Sequence, residues 1–248
     1  MVPLGQALAA DPPVPPLRAL RVFSQWQAAN ARGPEQRRAA SGKPVRFDHG
    51  PGPTELPLGE TAREDCEPRA RYEWVVLTLR PVHTDDRLAV HTWASRPEFC
   101  RYQPWGPNTP EASRAFVDDA AAAWTQSPQT RFPYIANHDG LPIGTGDLWI
   151  RNRDHRQGEI AYGLHPDLWG RGLGTLIGHE LLTIGFAQLG LHRIYATCDP
   201  RNVGSARVLR KLGMTHEGTL RQTMLIRDGW RDSEVFSILK QEWADQQH

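Results

Sequence analysis

From Trp74 to Leu79 the chain runs through β-forming residues and meets Pro81, a pattern that predicts a first strand. Thr84 is placed to cap a helix through about Ala94, with Asp85 and Asp86 in its first turn. Pro97, Pro104, Gly106, Pro107 and Pro110 then mark a loop that carries Phe99, Tyr102 and Trp105, and Thr109 and Glu111 open a second helix, Ala112 to Trp124. Phe132 to Ala136 and Leu141 to Ile150 read as a hairpin about His138-Asp139-Gly140, because Asp-Gly suits a two-residue turn. Arg151 to Gln157 is a charged turn into a strand holding Glu159. Leu173, Leu176, Ile177, Leu181 and Ile184 recur with helical period, and Leu191 to Thr197 returns to a β pattern stopped by Asp199-Pro200. A helix joins these last two strands, so they are expected to lie parallel. A short helix from Ser205 to Leu212 ends at Gly213, and two strands, Met214 to Leu220 and Ser233 to Leu239, flank a turn at Asp228-Gly229. The sum is an α/β domain over residues 74–243 with a tail at 244–248.

Residues 1–73 have a different character. They hold eleven of the 21 prolines, with too little apolar sequence to offset the entropy of ordering the chain, so this extension is expected to be flexible. One short helical face is available there through Leu17, Leu20, Phe23 and Trp26. Seven basic and two acidic residues between Met1 and Arg46 faintly suggest a transit peptide, but an N-terminal tail or an early start codon accounts for them better.

Charge narrows the partners. The extension carries ten basic and nine acidic residues and the remainder nineteen of each, which leaves no global basic surface for nucleic acid. No stretch is long and apolar enough for a membrane span, so a soluble, cytoplasmic protein is expected. Cys66, Cys100 and Cys198 are too few and scattered for a disulfide framework or a zinc ribbon. Three lysines against twenty-six arginines point to a GC-rich bacterial genome and to nothing functional.

The chemistry begins at Trp169-Gly170-Arg171-Gly172-Leu173-Gly174-Thr175, where alternate glycines precede the apolar helix. Glycine lets a backbone turn its N–H groups inward, and a helix start adds unpaired donors and a positive dipole end, so the junction is suited to phosphate. A P-loop would need a Gly-Lys pair, and the dinucleotide fingerprint would need glycine where Thr175 stands. What remains resembles the acyl-coenzyme A loop of the GCN5-related N-acetyltransferases (GNAT), Gln/Arg-x-x-Gly-x-Gly/Ala. Trp169 departs from the common Gln/Arg but matches the RimJ/RimL-like ribosomal-protein N-terminal acetyltransferase branch. Gly158 to Pro166 resembles that family's fourth strand, Asn202-Val203-Gly204-Ser205 with Lys211-Leu212-Gly213-Met214 its Asn-x-x-Ser helix and closing turn, and Leu79-Arg80-Pro81 with Asp85-Asp86 its opening.

The resemblance implies a mixed, mostly antiparallel sheet with a splayed parallel strand pair, and acetyl-CoA as cosubstrate without a metal. It places the pyrophosphate on the N–H groups of Arg171 to Thr175, with Gly170 and Trp169 shaping the loop, and the pantetheine arm and thioester oxygen along Gly163, Leu164 and His165. Asn202 would bind the pantetheine amide or cap its helix, and Ser205 would hydrogen-bond the thiol sulfur, since Leu209 stands where many relatives have a tyrosine. An attacking amine must lose a proton, for which Glu159 is the leading general base, with Asp147, Asp232 and Glu234 as alternatives. The simpler reading of Glu159 is a strand carboxylate paired with an arginine, and of the aromatics at 99–105 a loop packed on the core rather than an acceptor wall.

Other chemistries fit poorly. His179-Glu180 begins a zinc-protease motif whose second histidine would fall at Thr183, and no Gly-x-Ser-x-Gly elbow occurs. Expected, then, is an N-acetyltransferase that acts by direct attack on acetyl-CoA in a ternary complex. Its acceptor is a protein N-terminus, or alternatively a small amine such as an antibiotic or metabolite. A homodimer is compatible with this reading. The reading from another class is an acyl-CoA-binding module without catalysis.

Overall fold

A computed structural model describes residues 77–247. The extension, its helical face and the first residues expected in the opening strand lie outside the described residues.

Seven strands form one sheet in the order β1-β2-β3-β4-β5-β7-β6. They are β1 (Leu77–Pro81), β2 (Arg131–His138), β3 (Leu141–Asn152), β4 (Gln157–Leu164), β5 (Arg193–Cys198), β6 (Thr215–Ile226) and β7 (Gly229–Leu239). Every neighbouring pair is antiparallel except β4 and β5, as expected when a helix makes the crossover. The β2–β3 hairpin turns through Asp139 and Gly140, both at positive φ (50° and 79°), the conformation an Asp-Gly turn supplies. The fold expected from the sequence is the fold observed.

The helices are α1 (Arg87–Ala94), the single turn α2 (Pro97–Cys100), α3 (Pro110–Ala122), α4 (Leu173–Thr183), α5 (Val203–Lys211) and α6 (Lys240–Asp245). Thr109 caps α3 by accepting from the Ala112 N–H at 3.2 Å. Thr84 does not cap α1. Thr84–Asp86 forms a 3-10 turn, and buried Asp86 accepts from the His83 N–H at 2.8 Å and pairs with both ends of the Arg80 fork. That ion pair and hydrogen bond hold the Asp86 carboxyl below its ordinary range against the opposing effect of burial, which is the largest single influence on it. α5 starts two residues before the expected Ser205, α2 lies in a stretch read as loop, and α6 runs from the end of the expected domain into the tail.

Alternation along the strands separates two faces. On one, Phe132, Leu148 and Ile160 stand opposite one another across three strands, and Ile177, Leu181 and Leu182 of α4 pack over the sheet with them. Gly146 lies beneath Leu181, where a Cβ would stand 3.2 Å from its methyls, so the helix approaches closely. On the other face Ile135 joins Val82, Val90, Trp93, Val117 and Ala120 in a smaller cluster under α1 and α3. No helix among the described residues is long and apolar enough to cross a membrane.

Leu181 is fully buried at the centre of the larger cluster. Leu181→Ala is expected to cost about 2–5 kcal/mol, the lost transfer energy plus the cavity over Gly146, read as a lower urea midpoint at unchanged slope.

Candidate active site

The parallel pairing of β4 with β5 covers only Gln157 to Glu159 against Arg193 to Tyr195. Past that point β4 remains paired to β3 as far as Leu164, and β5 to β7 as far as Cys198, while the two strands part from each other. The His165 N–H donates to the Ile143 carbonyl at 2.8 Å, toward β3. Strand alternation therefore turns the backbone of Gly163 toward β3 and that of Tyr162 and Leu164 toward the gap. The Leu164 carbonyl is taken by the Trp169 indole N–H at 2.8 Å, and the Leu164 N–H faces the gap.

The glycine junction follows directly. Gly170 and Gly172 sit at φ 80° and 82°, and an added Cβ at either would meet nothing within 4 Å, so backbone conformation rather than space demands glycine there. Gly172 is the N-cap of α4, and its carbonyl accepts from Thr175 and Leu176. Leu173 and Gly174, the first two helical residues, carry N–H groups with no helical acceptor. Trp169 is half exposed and braces the loop to β4 through its ring nitrogen. The Arg171 side chain is exposed.

On the helix side of the gap, Asn202 caps α5 by accepting from the Ser205 N–H at 3.1 Å, which leaves its amide nitrogen free to donate. The Ser205 hydroxyl lies 3.1 Å from the Tyr162 hydroxyl, which reaches it from β4. Burial raises the Tyr162 phenol well above its ordinary value, against the lowering effect of the Ser205 hydrogen bond, so it keeps its proton. Tyr162 was missing from the sequence-derived set. The signal was the alternation itself, since residues two apart from Ile160 point to the same helix face.

The other side of the gap is polar. One row crosses six strands, Arg131, Trp149, Glu159, Tyr195, Ser237 and Thr215, each opposite the next. Glu159 is thus the last paired residue of β4 before the strands part. Its Oε2 accepts from Arg151 Nε at 2.7 Å and from the Tyr195 hydroxyl at 3.2 Å, and its other oxygen has no partner among the described residues. Arg151 in turn lies over the Trp149 ring, 5.1 Å from its centroid. Of the alternative carboxylates, Asp147 alone shares this face. Asp232 accepts from the Gln222 N–H on the β6–β7 hairpin, and Glu234 stands opposite Cys198 on the helix side.

Asp147 pairs with Arg131 at 3.0 Å, yet burial dominates and pushes its carboxyl up to about 6. Arg131 also pairs with Asp119 at 2.7 Å, so its charge is shared between two acids.

Above this face stands the aromatic loop. The Phe99 ring lies on β4 where Gly163 has no side chain, for a Cβ there would be 2.6 Å from the ring. Phe99 contacts Trp105 (centroids 5.9 Å), and Trp105 stacks on Phe116 of α3 at 6.1 Å. The packing reading of the loop holds for Phe99, which lies inward, whereas Trp105 is 36% exposed. The β6–β7 tip closes on it, with Arg227 donating to the carbonyls of Cys100, Trp105 and Gly106, and Arg201 pairing with Asp228 at 2.6 Å.

This geometry agrees with what the chain is similar to. The family described as an acetyltransferase (GNAT) domain matches residues 76–215. An uncharacterized N-acetyltransferase, YnaD of Bacillus subtilis, is 30% identical over 167 residues, 67% of this chain and 95% of the relative. The spermidine N(1)-acetyltransferase of Escherichia coli is 27% identical over 66% of this chain and 87% of the relative. Among solved structures, Mycobacterium smegmatis RimJ in complex with CoA-disulfide superposes with a TM-score of 0.62 at 24% identity, over 68% of this chain and 84% of that one.

Because the folded state holds the Asp147 proton more tightly than the unfolded chain, its contribution to stability is full below about pH 4 and is lost as pH rises through about 6. Between those limits the difference amounts to about 2–3 kcal/mol. Carboxyl carbon NMR should show a titration near pH 6 that disappears in Asp147→Asn, and the corresponding fall in stability across this window should be absent from that variant.

Proposed function

The chain belongs to the GNAT acetyltransferase family, and we propose that its acetyl acceptor is the α-amine of a polypeptide N-terminus, deprotonated by Glu159. As a member it is an acetyl-CoA-dependent N-acetyltransferase. The observation that carries the proposal is the position of Glu159, on the open face at the point where β4 and β5 part, with one carboxylate oxygen fixed and the other without a partner among the described residues.

The residues around the gap fit the acyl donor. The free N–H groups at the start of α4, together with the positive-φ glycines before them, suit a pyrophosphate, and Arg171 adds charge beside them. Asn202 and the gap-facing backbone of Tyr162 and Leu164 suit the amide-rich arm, and the gap-facing Leu164 N–H suits the thioester oxygen, where it would stabilise developing negative charge. Ser205, with Tyr162 behind it, donates a hydrogen bond to the sulfur that leaves. Gly163 and His165 act indirectly, the one admitting the Phe99 ring and the other fixing β4 to β3.

Glu159 takes the amine proton directly or through one water. An α-amine loses its proton near pH 8, a lysine-like amine only near about 10.4, so an N-terminus asks least of a carboxylate already paired with arginine. The second reading, a small amine, is favoured by the similarity to a spermidine N(1)-acetyltransferase.

Glu159→Gln is expected to lower kcat by about 10²–10⁴-fold while calorimetric binding of coenzyme A is retained. Unchanged turnover would reject Glu159 as the base. Ser205→Ala should cost about tenfold in kcat, the value of one hydrogen bond to the leaving sulfur. Release of free thiol across N-terminal peptides and small amines, polyamines included, identifies the acceptor. Turnover confined to polyamines would replace the N-terminus with the second reading.

A further inference from the structure

Arg231 of β7 is 8% exposed, and its guanidinium finds no carboxylate within ion-pair distance among the described residues. One terminal nitrogen donates to the Ser233 hydroxyl and the Asp232 carbonyl, both at 3.1 Å. The other meets only the Met224 sulfur at 3.1 Å, a weak acceptor, and the buried Nε has no partner. The acid whose charge reaches it, Asp199, is already held by Arg201 through its backbone N–H, Nε and a terminal nitrogen at 2.7–2.9 Å. Burial lowers the Arg231 pKa, but a guanidinium stays charged at neutral pH. A buried cation without a counter-ion is costly, and its under-satisfied edge, the unpartnered Nε with the terminal nitrogen that meets only Met224, is the edge that takes a carboxylate through two parallel bonds once the Met224 thioether gives way.

Its position gives that edge a use. Val235 stands opposite Thr197, and Ser237 opposite Tyr195, itself opposite Glu159, so alternation puts Arg231, Ser233, Val235 and Ser237 on the Glu159 face. β7 continues past Cys198, where its pairing with β5 ends, so Arg231 stands on the stretch of β7 beyond the splayed strand and four residues from the Arg227 clasp.

We propose that Arg231 is the acceptor's carboxylate receptor, and that this enzyme acetylates amines carrying a carboxylate a few bonds from the nitrogen. The proposal rests on the reading of the Glu159 face as the acceptor side. A monoanion suits the site, since the Asp199 charge nearby opposes a dianionic phosphate. The carboxylate comes either from an acidic first residue of a peptide or from the α-carboxylate of a free amino acid.

The test is thiol release from acetyl-CoA with matched acceptors: peptides beginning with Glu or Gln, free glutamate against its α-amide, and spermidine. The expected result is a kcat/KM at least about tenfold higher for the acid of one matched pair, with the productive pair naming the source of the carboxylate. That ratio should collapse toward one in Arg231→Met and survive in part in Arg231→Lys. Arg231→Met should melt at or above the wild-type temperature, because an uncompensated buried charge is gone; melting well below it, or failure to fold, would mark a structural arginine and overturn the proposal. Equal rates for acid and amide in the wild type, or a preference that survives Arg231→Met, also overturn it while leaving the Glu159 reading intact. No thiol release with any amine overturns the acceptor-side reading and this proposal with it.

Discussion

Everything in the site depends on two parallel strands that stop pairing. β4 and β5 share only three register positions, and each is then held by its other neighbour, β4 by β3 and β5 by β7. A backbone group inside a sheet normally has its partner supplied, and leaving one unpaired is expensive unless water or a ligand satisfies it. Here the divergence creates such groups in a row, and the core keeps it open. Ile160 and Ile194 on the two strands are fully buried beneath α4, so neither can slide sideways to restore the pairing without opening a cavity.

That gap also divides the chemistry by face. Toward α4 and α5 lie free helix N–H groups, an asparagine amide and two hydroxyls, all suited to anions, amides and sulfur. Toward the aromatic loop lie two carboxylates with different environments. Glu159 shares its charge with an exposed arginine and a tyrosine, whereas Asp147 is sealed in and its carboxyl rises to about 6. Two acids on one face with unlike surroundings are free to take unlike roles, and Glu159 stands nearer the point of divergence, at the last paired position.

Much of this was legible because the relevant signals are local. The Asp139-Gly140 turn, the Thr109 cap, the glycine loop and the parallel crossover each follow from a few adjacent residues, and each places a side chain on a known face once the strand period is counted. What could not be read depends on side chains meeting across elements, whether six residues apart or far along the chain. Arg80 and Asp86 displaced the expected Thr84 cap through a strand-to-turn ion pair, and Tyr162 gains meaning only when α5 brings Ser205 to it. Likewise Arg227 ties the hairpin tip to the aromatic loop by reaching carbonyls more than 120 residues away, and no spacing rule encodes that.

The same contrast bears on how an acceptor is chosen. The donor side is built largely from backbone: N–H groups at a helix start, glycines at positive φ and a strand edge. Such parts recognise a common group and tolerate side-chain change. The side proposed for the acceptor is built from side chains on the aromatic loop, the segment after β5 and a hairpin tip, Trp105, Arg201, Arg227 and Asp228, joined by hydrogen bonds that are mostly exposed. Exposed ion pairs contribute little stability and can be exchanged at little cost to the fold. Specificity can therefore vary at the loop and hairpin while the transfer machinery stays fixed, which is why membership of the family fixes the donor and leaves the acceptor to be argued from Glu159 and its neighbours.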